Sequence, residues 1–213
     1  MRFVCTSLVL ALSLSSSMSL GSEPVTCELL KKESRFTVGV TAEGLLSMLA
    51  HDRVISAKQF DGTIIFDPND HQKSRVQILI ATKGLTPVDE DLNQADAEEI
   101  TENMRSSIKA DEYPTISFSS DSIKINQQKS VVVGRLRMTG RTRRISVPLK
   151  VTQENQRLTV TGSFRAKQSD FGITPYSAAL GTIRVADELS FEFTAIAQMP
   201  IKTSTQTNTQ ARL

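Results

Sequence analysis

Apolar and polar residues alternate along the chain between Tyr113 and Thr152. The alternation comes in three runs, which begin near Ile116, Val131 and Ile145 and are separated by short polar segments. Successive side chains of a β-strand point to opposite faces, so a period of two places the apolar residues of each run on one face. The pattern therefore predicts an antiparallel meander of three strands with one apolar face.

The same period recurs on both sides of this meander. Further strands are predicted at Ser34 to Thr41, Phe60 to Phe66, Arg75 to Thr82, Leu158 to Ala166 and Glu188 to Ala197. Strands and helices do not alternate, which argues against a parallel sheet. About eight half-apolar strands in succession predict an all-β antiparallel fold, either a barrel or a sandwich.

Two segments have helical spacing instead. Between Asn93 and Ile108, apolar residues recur at three to four positions, acids precede them and bases follow, so we predict one amphipathic helix there. Gly44 to Ala50 predicts a short helical turn. Residues 168–186 contain Gly and Pro without a clear period and are predicted to form a long loop.

The N-terminus has the anatomy of a secretory signal peptide. Arg2 precedes an apolar run, Phe3 to Leu14, and small residues follow. The run is shorter than the roughly 20 residues that a spanning helix needs, so we expect no stable membrane span and a periplasmic or secreted protein. The predicted organisation is a signal peptide over 1–21, an N-terminal arm over 22–33, a barrel domain over 34–199 and a disordered tail over 200–213.

The cysteine content and the net charge limit which binding partners are expected. Cys5 would leave with the signal peptide, so Cys27 would remain alone, as an inert thiol on the N-terminal arm. The alternative is an intermolecular disulfide, and with it a homodimer, since the predicted compartment is oxidising. A net charge of +2 and the lack of Trp give no sign of a nucleic-acid partner.

The residues suggest no catalytic or metal centre. His51 and His71 are the only histidines, too few for a His-rich zinc site, and neither a Ser-His-Asp nor a Cys-His arrangement is recognisable. We therefore predict that the protein is not an enzyme and holds no metal or cofactor. For His51 two interpretations stay open: a hydrogen-bonded structural residue, or a polar ligand contact at the mouth of a barrel.

Four motifs, in order and at regular spacing, resemble those of the YceI-like family of periplasmic polyisoprenoid-binding proteins. They are FDGTIIFDP at Phe60 to Pro68, YPTISFSS at Tyr113 to Ser120, LRMTG at Leu136 to Gly140, and DFGI at Asp170 to Ile173 with DEL following at Asp187 to Leu189. The resemblance covers roughly Ser34 to Ala197.

Two positions depart from the family pattern. Arg53 stands where a family variant has the second His of an Ala-His-Asp-His segment, and Gly140 is followed by Arg141, whereas a His is often found in that turn.

The resemblance implies a lipocalin-like barrel whose apolar lumen sequesters or carries a long isoprenoid chain, such as a quinone tail or a prenyl phosphate. The alternative is a barrel filled by its own side chains, in a ligand-free structural or stress-related interaction protein. Besides His51, the candidate ligand-contacting residues are Phe36, Val38, Leu45, Leu49, Ile64, Ile78, Ile116, Phe118, Leu136, Phe164, Phe191 and Phe193.

The densest basic group follows the LRMTG motif. We expect Arg141, Arg143 and Arg144 to lie on a turn at one end of the barrel, where their guanidinium groups would hold an anionic headgroup. The alternative is a charged outer face that discourages aggregation at strand edges.

Overall fold

A computed structural model describes residues 23–44, 52–126, 129–178, 180 and 182–200. Its helix is α1 (Gln94–Ser107), and short 3-10 turns lie at His71–Lys73, Thr82–Gly84 and Ser169–Phe171. The strands are β1 (Val25–Leu29), β2 (Arg35–Val40), β3 (Ala42–Glu43), β4 (Arg53–Ala57), β5 (Phe60–Phe66), β6 (Arg75–Ala81), β7 (Leu85–Pro87), β8 (Thr115–Lys124), β9 (Ser130–Met138), β10 (Arg141–Glu154), β11 (Arg157–Lys167), β12 (Ser177–Ala178), β13 (Ile183–Val185) and β14 (Glu188–Gln198).

Eight of these strands close into an antiparallel barrel. Its order is β1-β5-β6-β8-β9-β10-β11-β14, and pairing of β14 with β1 completes the ring. The other part of the free edge of β14 pairs with β2, which continues through β4 to β7. The predicted all-β barrel is confirmed, and the sandwich alternative is not what the chain adopts.

The meander predicted from the period-two pattern is the run β8-β9-β10. On β9, Leu136 and Met138 are buried in the interior, whereas the intervening Arg135 and Arg137 are exposed. The alternation of residue types thus separates the lumen from the solvent, as it must in a barrel wall.

Glycines on the inner face make room for aromatic rings of neighbouring strands. Gly162 lies opposite Phe193, and a Cβ at Gly162 would lie 2.6 Å from Cζ of that ring. A Cβ at Gly134 would lie equally close, 2.6 Å, to Cζ of Phe118. Close approach, rather than an unusual backbone angle, accounts for glycine at both positions.

The wall is incompletely hydrogen-bonded between β10 and β11. Residues 149–154 of β10 pair with residues 157–162 of β11, but residues 141–148 pair only with β9 and residues 163–167 only with β14. Pro148, which has no N–H to donate, stands where the ladder stops. We call the stretch between residues 141–148 and 163–167 the seam.

The N-terminal arm is where the prediction was wrong. Residues 25–29 form β1, which pairs with β5 and β14 and closes the barrel. Cys27 lies opposite Ile64, is only 3% exposed, and burial raises the pKa of its thiol. The thiol is free, as expected, but it is a core residue, and its burial contradicts the intermolecular disulfide as a route to a homodimer.

The long loop predicted for residues 168–186 also needs correction. It contains the 3-10 turn at Ser169–Phe171 and the strands β12 and β13, and β13 pairs with β3 to form a small second sheet. These strands are only two or three residues long, so they have no period that a sequence pattern could reveal. The predicted signal peptide, the helical turn from Leu45 onward and the C-terminal tail lie outside the described residues.

The predicted amphipathic helix is confirmed, with boundaries close to those expected. The Asn93 side chain caps it by accepting the backbone N–H of Asp96 at 2.9 Å. Ile100, Met104 and Ile108 pack over a cluster built on Ile55 and Leu85, so α1 covers one end of the barrel. No helix of the described chain has the length and apolarity needed to cross a membrane.

Candidate functional site

The barrel encloses an inner cavity of about 200 Å³. Its lining is almost wholly aliphatic and aromatic, because the inner faces of the strands carry Phe, Val, Ile and Leu. Ten of the residues predicted from the sequence line it: Phe36, Val38, Ile64, Ile78, Ile116, Phe118, Leu136, Phe164, Phe191 and Phe193. The side chains therefore do not fill the lumen. The other three candidates, Leu45, Leu49 and His51, lie outside the described residues.

Ring contacts hold the aromatic part of this lining in place. Phe36 makes an edge contact with Phe60, with ring centroids 4.8 Å apart, and stacks on Phe193 at 6.1 Å. Phe164 and Phe191 stack in nearly parallel planes at 4.6 Å. Such pairs add stability beyond their buried area, so the wall presents a firm apolar surface.

A second cavity of about 220 Å³ lies between the barrel and α1. The two cavities share the lining residues Val38, Ile55, Leu85, Ile116 and Phe191, so they adjoin each other. The second cavity has a more polar margin than the first. That margin includes Arg53, Asn103, Tyr113, Gln168 and Tyr176.

Arg53 is a cation of this margin, and it is not among the site residues predicted from the sequence. Its guanidinium Nη1 donates to both carboxylate oxygens of Asp91, at 3.0 and 3.1 Å. The nearby Asp89 accepts the backbone N–H of Val54 at 3.0 Å. The two acids precede α1 and bind β4. Only the departure from the family pattern at Arg53 marked the position in the sequence.

The predicted headgroup arginines are not on a turn, and that prediction was wrong. The turn consists of Thr139 and Gly140, both with positive φ, and β10 begins at Arg141. Arg141, Arg143 and Arg144 are exposed, and none of them lines either cavity. Arg144 and the adjacent Arg135 share the carboxylate of Asp121, at 3.8 and 3.1 Å.

The FDP part of the first motif forms a structural turn at the end of β5. Oδ1 of Asp67 accepts the backbone N–H groups of Asn69 and Asp70, both at 2.9 Å, and the hydroxyl of Ser74 accepts the N–H of Asp67. His71 stacks on Phe66, with Nδ1 3.0 Å from the carbonyl oxygen of Asp67. These contacts give His71 a structural role. No cluster of His, Cys, Asp and Glu that could hold a metal occurs in the part of the chain described here.

We expect the substitution Asp67→Asn to make the free energy of unfolding depend less steeply on pH under acidic conditions. The N–H groups of Asp70 and Asn69 stabilise the carboxylate and hold the pKa of Asp67 below its usual value. Its contribution is therefore complete above an unfolded-state pKa of about 3.9 and is lost as the pH falls through the folded-state pKa. Urea unfolding of both proteins at pH 7 and at successively lower pH measures this. A loss of stability on acidification as steep in the variant as in the wild type would contradict the assignment.

An antiparallel barrel of eight strands with an apolar lumen is wide enough to hold one small hydrophobic ligand. The YceI-like domain model matches residues 31–197, and the chain belongs to this family. The resemblance seen in the four motifs is thus confirmed. A search of the curated proteins gives no significant match.

Solved structures share the fold at low sequence identity. BcnA of Burkholderia cenocepacia has a TM-score of 0.65 at 20% identity, over 80% of this chain and 100% of that one. A polyisoprenoid binding domain from Saccharophagus degradans, implicated in plant cell wall breakdown, has a TM-score of 0.58 at 10% identity, over 84% and 100%. A Campylobacter jejuni YCEI protein has a TM-score of 0.54 at 17% identity, over 69% and 85%.

Proposed function

We propose that this protein binds a long-chain isoprenoid lipid in its inner cavity and so sequesters or carries it. The observation that carries the proposal is the lining of that cavity. Inward-facing Phe, Ile, Val and Leu side chains surround a space that they leave open, and this space adjoins the second cavity beneath α1. Membership of the YceI-like family and the polyisoprenoid binding domain among the similar structures support the same ligand class.

The energetics favour a chain-like apolar ligand. Each buried methylene contributes about 0.8 kcal/mol, so a few isoprene units within these walls supply a useful affinity without any polar contact. A polar ligand would leave its hydrogen-bonding groups unsatisfied against the same walls, at a cost of several kcal/mol. The lumen therefore selects for hydrocarbon.

The proposed ligand carries either a quinone or a prenyl phosphate head, and the proposed setting is the periplasm, in keeping with the predicted signal peptide. The proposed role is binding rather than catalysis. Polar groups at the margin of the second cavity, such as Asn103 and Tyr176, offer neutral hydrogen-bonding partners where that cavity lies beneath α1.

Lipid extraction tests the proposal. Protein purified without detergent from its native compartment is extracted with organic solvent, and the extract is analysed by mass spectrometry. We expect a polyprenyl lipid at close to one molecule per chain. An extract without such a lipid, together with failure of the stripped protein to bind added polyprenyl alcohol, would refute the proposal.

A further inference from the structure

The seam is a stretch of the inner cavity's wall in which neighbouring strands are not paired. Ile145 and Val147 of β10 and Phe164 of β11 line the cavity from the two sides of the seam. Within the described residues, the pairing of β10 with β11 ends at Leu149 and Gly162, and no paired positions join residues 141–147 to residues 164–167. Side-chain packing of Ile145 and Phe164 with the buried Phe171 holds this part of the wall together. Along this stretch the two strands are held by side-chain packing and not by a paired ladder.

Arg141 and Arg143 lie at the outer end of the seam, at positions of β10 that belong to its lumen-facing side. Arg143 lies opposite the buried Leu136, and Arg141 lies opposite the buried Met138. Both therefore belong to the inner face of β10, although β11 does not cover them and both are exposed. The guanidinium of Arg141 lies against Gly172, because a Cβ built on that glycine would be 2.6 Å from Cζ of Arg141.

Among the described residues, Arg141 and Arg143 have no ion-pair partner, whereas several other arginines do. Arg53, Arg135, Arg144, Arg157 and Arg165 each bind a carboxylate. Across residues 23–44, 52–126, 129–178, 180 and 182–200, no carboxylate oxygen lies within 4.0 Å of a guanidinium nitrogen of Arg141 or Arg143. Two cations without an acidic partner thus lie beside the unpaired stretch of the cavity wall.

We propose that the seam is a lateral binding site for the phosphate-type head of a single-chain lipid, which Arg141 and Arg143 hold while the chain passes between β10 and β11 into the inner cavity. This inference rests on the proposed function. Guanidinium groups bind phosphate oxygens through paired, charge-assisted hydrogen bonds, which an alcohol or quinone head cannot match.

The helix-covered end offers a poorer site for an anion. Among the described residues that line the second cavity, Arg53 is the only Lys or Arg, and Asp91 neutralises it through two hydrogen bonds. A phosphate placed there would have to displace Asp91 or lie unpaired. A neutral head fits that end, and a charged head fits the seam.

Calorimetric titration with three probes tests the assignment. Farnesyl diphosphate carries chain and charge, farnesol carries the same chain without the charge, and inorganic pyrophosphate carries the charge without the chain. The test variant is Arg141→Gln/Arg143→Gln. The matched control is Arg135→Gln/Arg144→Gln, which removes two arginines from the outer face of β9 and β10. Arg53→Gln tests the competing site at the helix-covered end.

We expect the test variant to bind farnesyl diphosphate at least about tenfold more weakly than the wild type, because hydrogen bonds to charged groups are involved. We expect farnesol binding to be unchanged, the matched control to bind like the wild type, and inorganic pyrophosphate to bind far more weakly than farnesyl diphosphate. Equal binding of farnesyl diphosphate by test variant and wild type would overturn the inference, as would a loss confined to Arg53→Gln. So would pyrophosphate binding as tight as that of farnesyl diphosphate. Failure of farnesol to bind the wild type would instead count against the proposed function.

Discussion

Substitution Val151→Phe is expected to lower the affinity for a polyprenyl alcohol about 100-fold. Val151 lines the inner cavity, and phenylalanine carries four more side-chain carbons than valine. If the ring occupies space that the ligand would otherwise fill, about four methylenes of the ligand are no longer buried. Each contributes about 0.8 kcal/mol to binding, so the dissociation constant rises by roughly two orders of magnitude. Titration of the stripped protein with the lipid measures the effect.

The control for this prediction is the next residue of the same strand. Thr152 is exposed on the outer face of β10, so Thr152→Phe adds a ring of the same size outside the barrel. We expect this variant to bind the lipid like the wild type. If Val151→Phe also binds like the wild type while remaining folded, the ligand does not lie in the inner cavity.

Substitution Phe171→Ala is expected to lower the free energy of unfolding by about 3–5 kcal/mol. Phe171 is 1% exposed and packs in a cluster with Leu136, Met138 and Ile173. It lies where β10 and β11 are not hydrogen-bonded, so no backbone pairing compensates for the cavity that its removal leaves. Since small proteins are commonly stable by about 5–15 kcal/mol, this loss is large and is readily measured by urea unfolding.

Tyr176→Ala provides the comparison. Tyr176 is an aromatic residue from the same connection between β11 and β14, but it is 40% exposed, and we expect its removal to cost less than about 1 kcal/mol. Similar losses in the two variants would show that Phe171 does not hold the seam in the way its packing indicates.

The lumen could be predicted from the sequence because its signal is local. In strands such as β5 and β14, every second residue faces inward, and Phe, Ile, Leu and Ala recur with that period. A barrel has one apolar face to bury, so the inner residues follow once the strands are located. The same reasoning located α1, whose apolar positions recur at helical spacing and whose capping Asn93 precedes them.

The site at the seam could not be predicted in this way. Arg141, Arg143 and Arg144 were grouped as one basic turn, yet the barrel divides them: Arg144 pairs with Asp121 on the outer face, and the other two face the seam. Arg144 meets a carboxylate because the pairing of β8 with β9 brings Asp121 close to it. That contact joins residues from different strands, so a local pattern does not reveal it. The pairing of Arg53 with Asp91 has the same origin.

The sequence by itself determined the strands, their inward faces and the helix, because each of these depends on a period of two or of nearly four that neighbouring residues set. Only the tertiary structure decided how the barrel closes, where its strand pairing is interrupted and which charges remain unpaired. β1 forms through pairing of Cys27 with Ile64 and of Glu28 with Gln198. The seam begins where the pairing of β10 with β11 stops, next to Pro148. These pairings join residues far apart in the chain, and no local pattern of apolar and polar residues specifies them.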